Sequence, residues 1–325
     1  MWRAVPGGVL LALLALTGCG SDGTGDLDDS AAWRTSTDPL DPTGLVWASG
    51  QTVHLQDGTT VDVGADIAQF AVAGDGIFFF EATGDDRGDD LRDAPLLYGE
   101  DGSDPVDTGL DVDGDMVAAS PDGTHLAAIV VNDDDTGATV TIFDLTSGEV
   151  VRSSDGMRPG SDPEDEFLEA ELSVLGIDDD DLYGRSLDGD FAWSLSTGEG
   201  READPSALLD PLASPNGAWT IETKRDGTVR TVASPGGERV RLQLPEGWRS
   251  YLSAWADGST AVGVSVKGGA SPELDPGDTV RLLTCQVPDG TCEVRTDVPD
   301  GTVLLPMRGD TGQAYRIQTG RTGSS

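Results

Sequence analysis

Few residues of this chain could do covalent or metal chemistry, and their spacing limits what that chemistry is. Three cysteines and two histidines stand among 325 residues. Cys285 and Cys292 flank Val287-Pro288-Asp289-Gly290, a tight turn that brings two strands within bonding range. Paired cysteines in an exported protein are expected to be oxidised. Closing so small a loop stabilises by about 2–3 kcal/mol on the chain-entropy model. The alternative, a metal pair, lacks further cysteine and has no nearby histidine. His54 and His125 follow no triad order, and a structural role is expected for both. No His cluster supports zinc, and no Gly-rich loop precedes a helix to cradle phosphate. No catalytic residue is assigned.

Carboxylates are the abundant reactive type. Asp and Glu total 59 against 20 Lys and Arg, a formal net charge of −39. Such a surface repels DNA, RNA and anionic headgroups, which excludes nucleic acid as a partner. Asp111-Val112-Asp113-Gly114-Asp115 sets three carboxylates at alternate positions, as a calcium loop does. However, Met116 stands where an EF-hand requires Gly, and Asp122 where it requires Glu. Asp133-Asp134-Asp135 and the run from Asp178 to Asp181 are similar clusters. Because acids occupy nearly every loop, they read as solubility with at most weak calcium association. No cofactor and no dedicated metal site is expected.

The third cysteine closes an export signal. Arg3 supplies a positive start, and Val9, Leu10, Leu11, Leu13, Leu14 and Leu16 an apolar stretch. That stretch is shorter than the roughly 20 residues a bilayer core requires. The sequence Leu16-Thr17-Gly18-Cys19 that follows resembles the lipobox of bacterial lipoproteins. The resemblance implies diacylglycerol on the Cys19 thiol, cleavage before it, and location at the cell membrane on the extracytoplasmic side. Residues 1–18 are then the signal and 19–42 an acylated flexible tether, rich in Gly, Ser and Asp.

The elements that position everything else are strands. Short runs of Val, Leu, Ile and Phe alternate with Gly, Asp and Pro turns, while helical signals are nearly absent, so the fold is all-β. One turn class recurs at Asp57-Gly58, Asp101-Gly102, Ser147-Gly148, Thr197-Gly198, Gly236-Gly237 and Asp289-Gly290, 39 to 53 residues apart. A second class lies between them and centres on Asp75, Asp122, Asn216 and Asp257, with a degenerate copy at Asp178 to Asp181. Two hairpin turns per period of roughly 46 residues make four strands per unit, the arithmetic of a propeller blade. Six turns of the first class give six four-stranded antiparallel blades. Ser120-Pro121-Asp122-Gly123-Thr124-His125-Leu126-Ala127 resembles the repeat of TolB-like, WD-repeat-like propellers, and Ser214-Pro215-Asn216-Gly217 is a weaker copy. That resemblance implies architecture and is nearly silent on chemistry.

The propeller is assigned to residues 43–310, with 311–325 as a C-terminal tail. Its first unit lacks an inner strand, and Thr302-Val303-Leu304-Leu305-Pro306 is expected to supply one, closing the ring by pairing the chain's two ends. Trp47, Trp193, Trp219, Trp248 and Trp255 could line a sugar-binding face. At strand positions they read as packing between blades, with Trp248 the best exposed candidate. Ser214-Pro215-Asn216-Gly217-Ala218-Trp219 has the wrong spacing and acid for a sialidase Asp-box. Insertions at 84–94, 155–166 and 267–278 read as solvated loops. The leading functional expectation is a monomeric, membrane-anchored, non-catalytic scaffold that binds an envelope protein or small ligand. The rivals are a glycan-acting hydrolase or lyase with channel carboxylates, and an accessory or sensor subunit of an envelope signalling complex.

Overall fold

A run such as Ile77-Phe78-Phe79-Phe80 has no polar side, so a strand made from it must be covered on both faces. The computed structural model describes residues 31–82, 91, 94–131, 137–157, 172–204, 212–268, 277–307 and 316–322. Residues 1–18, read above as an export signal, and Cys19 lie outside these residues.

All the sheets are antiparallel, and among the described residues there are five; the nine-stranded one is described in two parts, units I and VI. Unit I comprises β1 (Trp47–Ser49), β2 (Thr52–His54) and β3 (Thr60–Asp62), joined by β23 (Gly301–Leu304) beside β1. Unit II is β4 (Ile67–Ala73), β5 (Gly76–Glu81), β6 (Ala94–Gly99) and β7 (Val106–Val112). Unit III is β8 (Val117–Ala119), β9 (His125–Val131), β10 (Ala138–Asp144) and β11 (Glu149–Ser153). Unit IV is β12 (Ser173–Ile177), β13 (Asp181–Ser186), β14 (Gly189–Ser194) and β15 (Gly200–Glu202). Unit V has three strands, β16 (Thr220–Thr223), β17 (Val229–Ala233) and β18 (Arg239–Arg241). Its fourth is reduced to a bridge between Ala213 and Thr220. Unit VI is β19 (Arg249–Trp255), β20 (Thr260–Lys267), β21 (Thr279–Gln286) and β22 (Thr291–Val294).

The two ends of the chain share a sheet: Leu304 of β23 is the partner of Ala48 in β1. Two expectations fail nearby. Residues 311–325 are not simply a tail, because they contain β24 (Arg316–Arg321), which pairs with both β23 and β21. Arg316-Ile317-Gln318-Thr319 alternates polar and apolar, and Ile317 is buried. Units I and VI are thereby fused into one nine-stranded sheet instead of standing as separate blades.

The second correction concerns the tether. Residues 31–42 are packed, and the turn Ala32–Arg34 carries a buried Trp33. Its ring meets Phe78 and Phe143 edge-on at 5.6 and 5.1 Å. One large aromatic in a polar stretch anchors a segment that composition alone marks as a linker.

Alternation of side chains assigns each strand's two faces to different neighbours. In β5, Ile77 and Phe79 join a cluster with unit I, whereas Phe78 and Phe80 face unit III. In β9, Leu126 and Ala128 face unit II, and Ala127 and Ile129 face unit IV. Ile221, Val232 and Val240 bind unit V to unit VI. Trp47, Val262, Leu282 and Val303 bind unit VI to unit I. Five junctions between successive units therefore hold apolar clusters. Among the described residues, no such cluster joins unit IV to unit V.

Candidate functional site

The repeat turns are built from short side chains that satisfy their own backbone. Asp122 accepts hydrogen bonds from the hydroxyls of Ser120 (2.6 Å) and Thr124 (2.8 Å) and from the Thr124 N–H (3.1 Å). The Ser120 hydroxyl accepts the His125 N–H at 2.9 Å. Asn216 repeats this with Ser214 and Ala218, and the Trp219 N–H bonds the Ser214 hydroxyl. Asp257 accepts from Ser259 and Thr260. Such Asx geometry explains why Asp and Asn alternate at one structural position. The six glycines of the other turn class all take positive φ, as tight hairpins require.

Asp75 departs from the pattern. Its carboxylate reaches out of its own turn to the Ser36 hydroxyl, to the Thr37 hydroxyl (3.1 Å) and to the N–H groups of Thr37 and Asp38 (each 2.8 Å at its shorter contact). It thus clamps the segment that follows Trp33. Behind Trp33, the Arg34 guanidinium lies 5.4 Å from the Trp33 ring centre and 5.6 Å from that of Phe143. Between this strap and the turns of unit III lies a cavity of about 360 Å³, lined by Pro39, Leu40, Pro42, Asp122, Thr124 and Leu145 among others.

Asp41, Asp75, Asp122 and Asp144 are each held below the ordinary carboxylate value in this region. Burial pushes Asp75 up, but its hydrogen bonds outweigh that and leave it below the ordinary value. Asp122 and Asp257 behave alike. Asp144, burial notwithstanding, is drawn down to about 2 by the hydroxyls and N–H groups of Ser147 and Thr146. In Asp41 the Thr43 hydroxyl is the main cause of the same shift.

The remaining sequence-level candidates are structural. Cys285 and Cys292 are cross-strand partners in β21 and β22 and form a disulfide. Trp47, Trp193 and Trp255 are buried between units, while Trp219 and Trp248 are half-buried. Lys267 sits 5.8 Å from the Trp248 ring centre. His54 stacks on Trp47 at 3.8 Å, and burial lowers its pKa against the opposing charge of Asp297. The His125 Nδ1 meets the Thr124 hydroxyl at 2.9 Å. Among the described residues, no group of three or more His, Cys, Asp or Glu converges as a metal site. Asp133 to Asp135 and most of the three insertions lie outside those residues. Among the described residues, no helix is long and apolar enough to cross a membrane.

Sequence reasoning missed a set of charged residues on one face of unit IV and one face of unit V. Arg201 forms a fork with Asp181 at 2.9 and 2.5 Å, and Arg239 forks onto Glu222 at 3.1 and 2.9 Å. Glu222 also accepts the Thr231 hydroxyl at 2.7 Å, and Thr231 and Arg239 together hold it below its ordinary pKa. Tyr183 donates to Asp178 at 3.0 Å; burial first, and that carboxylate second, push its phenol up to about 12. The signal was the alternation in Asp181-Leu182-Tyr183-Gly184-Arg185, which puts every charge on one face.

No family model matches the sequence, and no curated protein matches it. Among solved structures, the chain is similar to one from a structural and mechanistic study of two prolyl endopeptidases, at 16% identity and a TM-score of 0.33. That match covers 79% of this chain and 39% of the other, so the chain spans well under half of that protein. It is also similar to an oligogalacturonate lyase from Vibrio parahaemolyticus, at 13% identity and a TM-score of 0.35, covering 78% of this chain and 79% of that one. A third is the β-propeller domain of the trilobed protease from Pyrococcus furiosus, at 11% identity and a TM-score of 0.29, covering 78% and 85%. Likenesses of this degree assign neither substrate nor reaction.

Proposed function

We propose that this chain is a lipid-anchored, extracytoplasmic β-propeller that serves as a non-catalytic binding scaffold at the cell envelope. The six sheet units are its blades, and the pairing of Ala48 with Leu304 is where the first and last segments meet. Apolar clusters at five successive junctions support that architecture. Cys19 carries the anchor, and the packed body already includes Trp33.

One observation carries the scaffold reading. Every described carboxylate whose pKa is shifted is shifted downward, by hydroxyl, N–H or arginine donors. A glycan-cleaving general acid needs the opposite, a carboxyl kept protonated near neutral pH. These acids act as fixed acceptors that lock turns. The test follows the intact chain in its native envelope with an alkyne-bearing fatty acid. Label on the wild-type protein and none on Cys19→Ala, with the variant released from the membrane fraction, is the expected result. Equal membrane retention of the unlabelled variant overturns the anchor.

A further inference from the structure

The strap and unit III enclose a cavity whose chemistry is set by two carboxylates in a largely apolar wall. Main-chain contacts fix the strap above it: the Ser36 N–H donates to the Leu145 carbonyl at 2.6 Å, and the Leu40 N–H to that of Gly74 at 2.8 Å. Pro42 lies 3.2 Å from where a Cβ on Gly123 would stand, so the strap rests directly on a unit III turn. The space left between them is about 360 Å³, near the lower end of small-molecule sites. Pro39, Leu40, Pro42 and Leu145 supply its carbon, and Asp41 and Asp122 its charge. Each acid spends only Oδ1 on its own turn: Asp41 on the Thr43 N–H and hydroxyl, Asp122 on Ser120 and Thr124. Among the described residues, nothing donates to either Oδ2. Although burial pushes Asp122 up, these hydrogen bonds prevail in both, and each acid sits below the ordinary carboxylate value.

We propose that this cavity binds a small aliphatic primary amine, with its ammonium at the Asp41 and Asp122 carboxylates and its alkyl body against the prolines and leucines. Such a site gives the non-catalytic binding reading a ligand class, and its assignment rests on that reading. An ammonium carries three donors, and the unfilled carboxylate oxygens are acceptors alone. No side chain lining the cavity is basic, so an anion would meet uncompensated like charge. None is aromatic, which removes the ring faces that hold a quaternary ammonium. A neutral apolar molecule would strip water from two charged groups and give nothing in return. Calcium takes about six to eight oxygens. Among the described residues, no group of three or more His, Cys, Asp or Glu converges to offer them.

The test titrates n-pentylamine into the full-length protein in detergent by calorimetry, at physiological salt, which screens diffuse attraction to the acidic surface. Pentanol, pentanoate, tetramethylammonium and calcium are titrated alongside. The expected result is saturable one-to-one binding, slower hydrogen exchange at the Ser36 and Leu40 amides, and at least about tenfold weaker binding to Asp41→Asn/Asp122→Asn. Asn216 holds the corresponding turn through the same Oδ1 contacts, so the amide keeps the structure and removes only the charge. Melting of the variant is measured alongside to check this. Two charges out of a net −39 cannot produce such a loss by diffuse attraction. Unchanged affinity in the variant, or equally tight binding of pentanol, pentanoate, tetramethylammonium or calcium, overturns the proposal. So does tighter binding of a lysine blocked at both ends, which would mark a partner's side chain as the occupant. Failure here leaves Cys19 acylation and membrane retention unaffected, so the two readings fail separately.

Discussion

The apolar junction of units II and III and the charged faces of units IV and V are made by the same kind of strand and teach opposite lessons. At the first, Phe78, Phe80, Leu126 and Phe143 close around Trp33, and a strap from outside the strands is clamped down by Asp75. At the second, the same alternation places Asp181, Tyr183 and Arg185 where the first has phenylalanine and leucine. A strand of alternating pattern therefore does not by itself make a core on both faces. The residue type at every second position decides whether a face packs or stays hydrated.

The sharpest way to break this comparison is to remove one aromatic from each side. Trp33→Ala should cost about 3–5 kcal/mol in urea unfolding, as truncation of a buried indole does. Tyr183→Ala, half-buried and hydrogen-bonded to Asp178 on a polar face, should cost only about 1 kcal/mol. Equal costs would erase the distinction.

Acid should next act on the strap and its junction. Asp144 sits at about 2 against an ordinary 3.8, and Asp75 and Asp122 are lowered too. A carboxyl whose folded pKa is depressed stabilises the fold above its unfolded value and loses that contribution as pH falls through the folded one. Stability should therefore fall between about pH 4 and pH 2, with Trp33 fluorescence reporting release of the strap. From pH 7 down to about 5 these groups contribute no loss, and relief of self-repulsion among the acids should raise the melting temperature slightly.

Smaller effects sharpen the contrast. Asp75→Ala removes the acceptor for Ser36, Thr37 and Asp38 and should cost about 1–2 kcal/mol, with faster exchange of the Thr37 and Asp38 amides. Arg239→Ala breaks an exposed pair and should change the unfolding midpoint by about 0–1 kcal/mol, less in high salt.

Much of the fold was legible before any coordinates. The turn glycines, the Asx residues and the fully apolar strands are local signals, and Cys285 and Cys292 flank a turn whose geometry leaves them little choice. What escaped was non-local. Trp33 is one aromatic in a polar run, and its value depends on Phe78 and Phe143, some 45 and 110 residues away. β24 is too polar to stand out until Ile317 is placed against β23. The charged faces were written in the alternation of β13 and β17, but reading them required knowing which face of each strand was already taken.

The central claim is that, among the described residues, the faces of units IV and V that carry Tyr183 and Glu222 are polar and hydrated, while the junctions that hold the apolar clusters are sealed. Hydroxyl-radical footprinting of the intact protein, read peptide by peptide, tests it most directly. The account predicts that Tyr183 is oxidised readily while Trp33, Phe78 and Trp193 are protected. Protection of Tyr183 equal to that of Trp193 would contradict it.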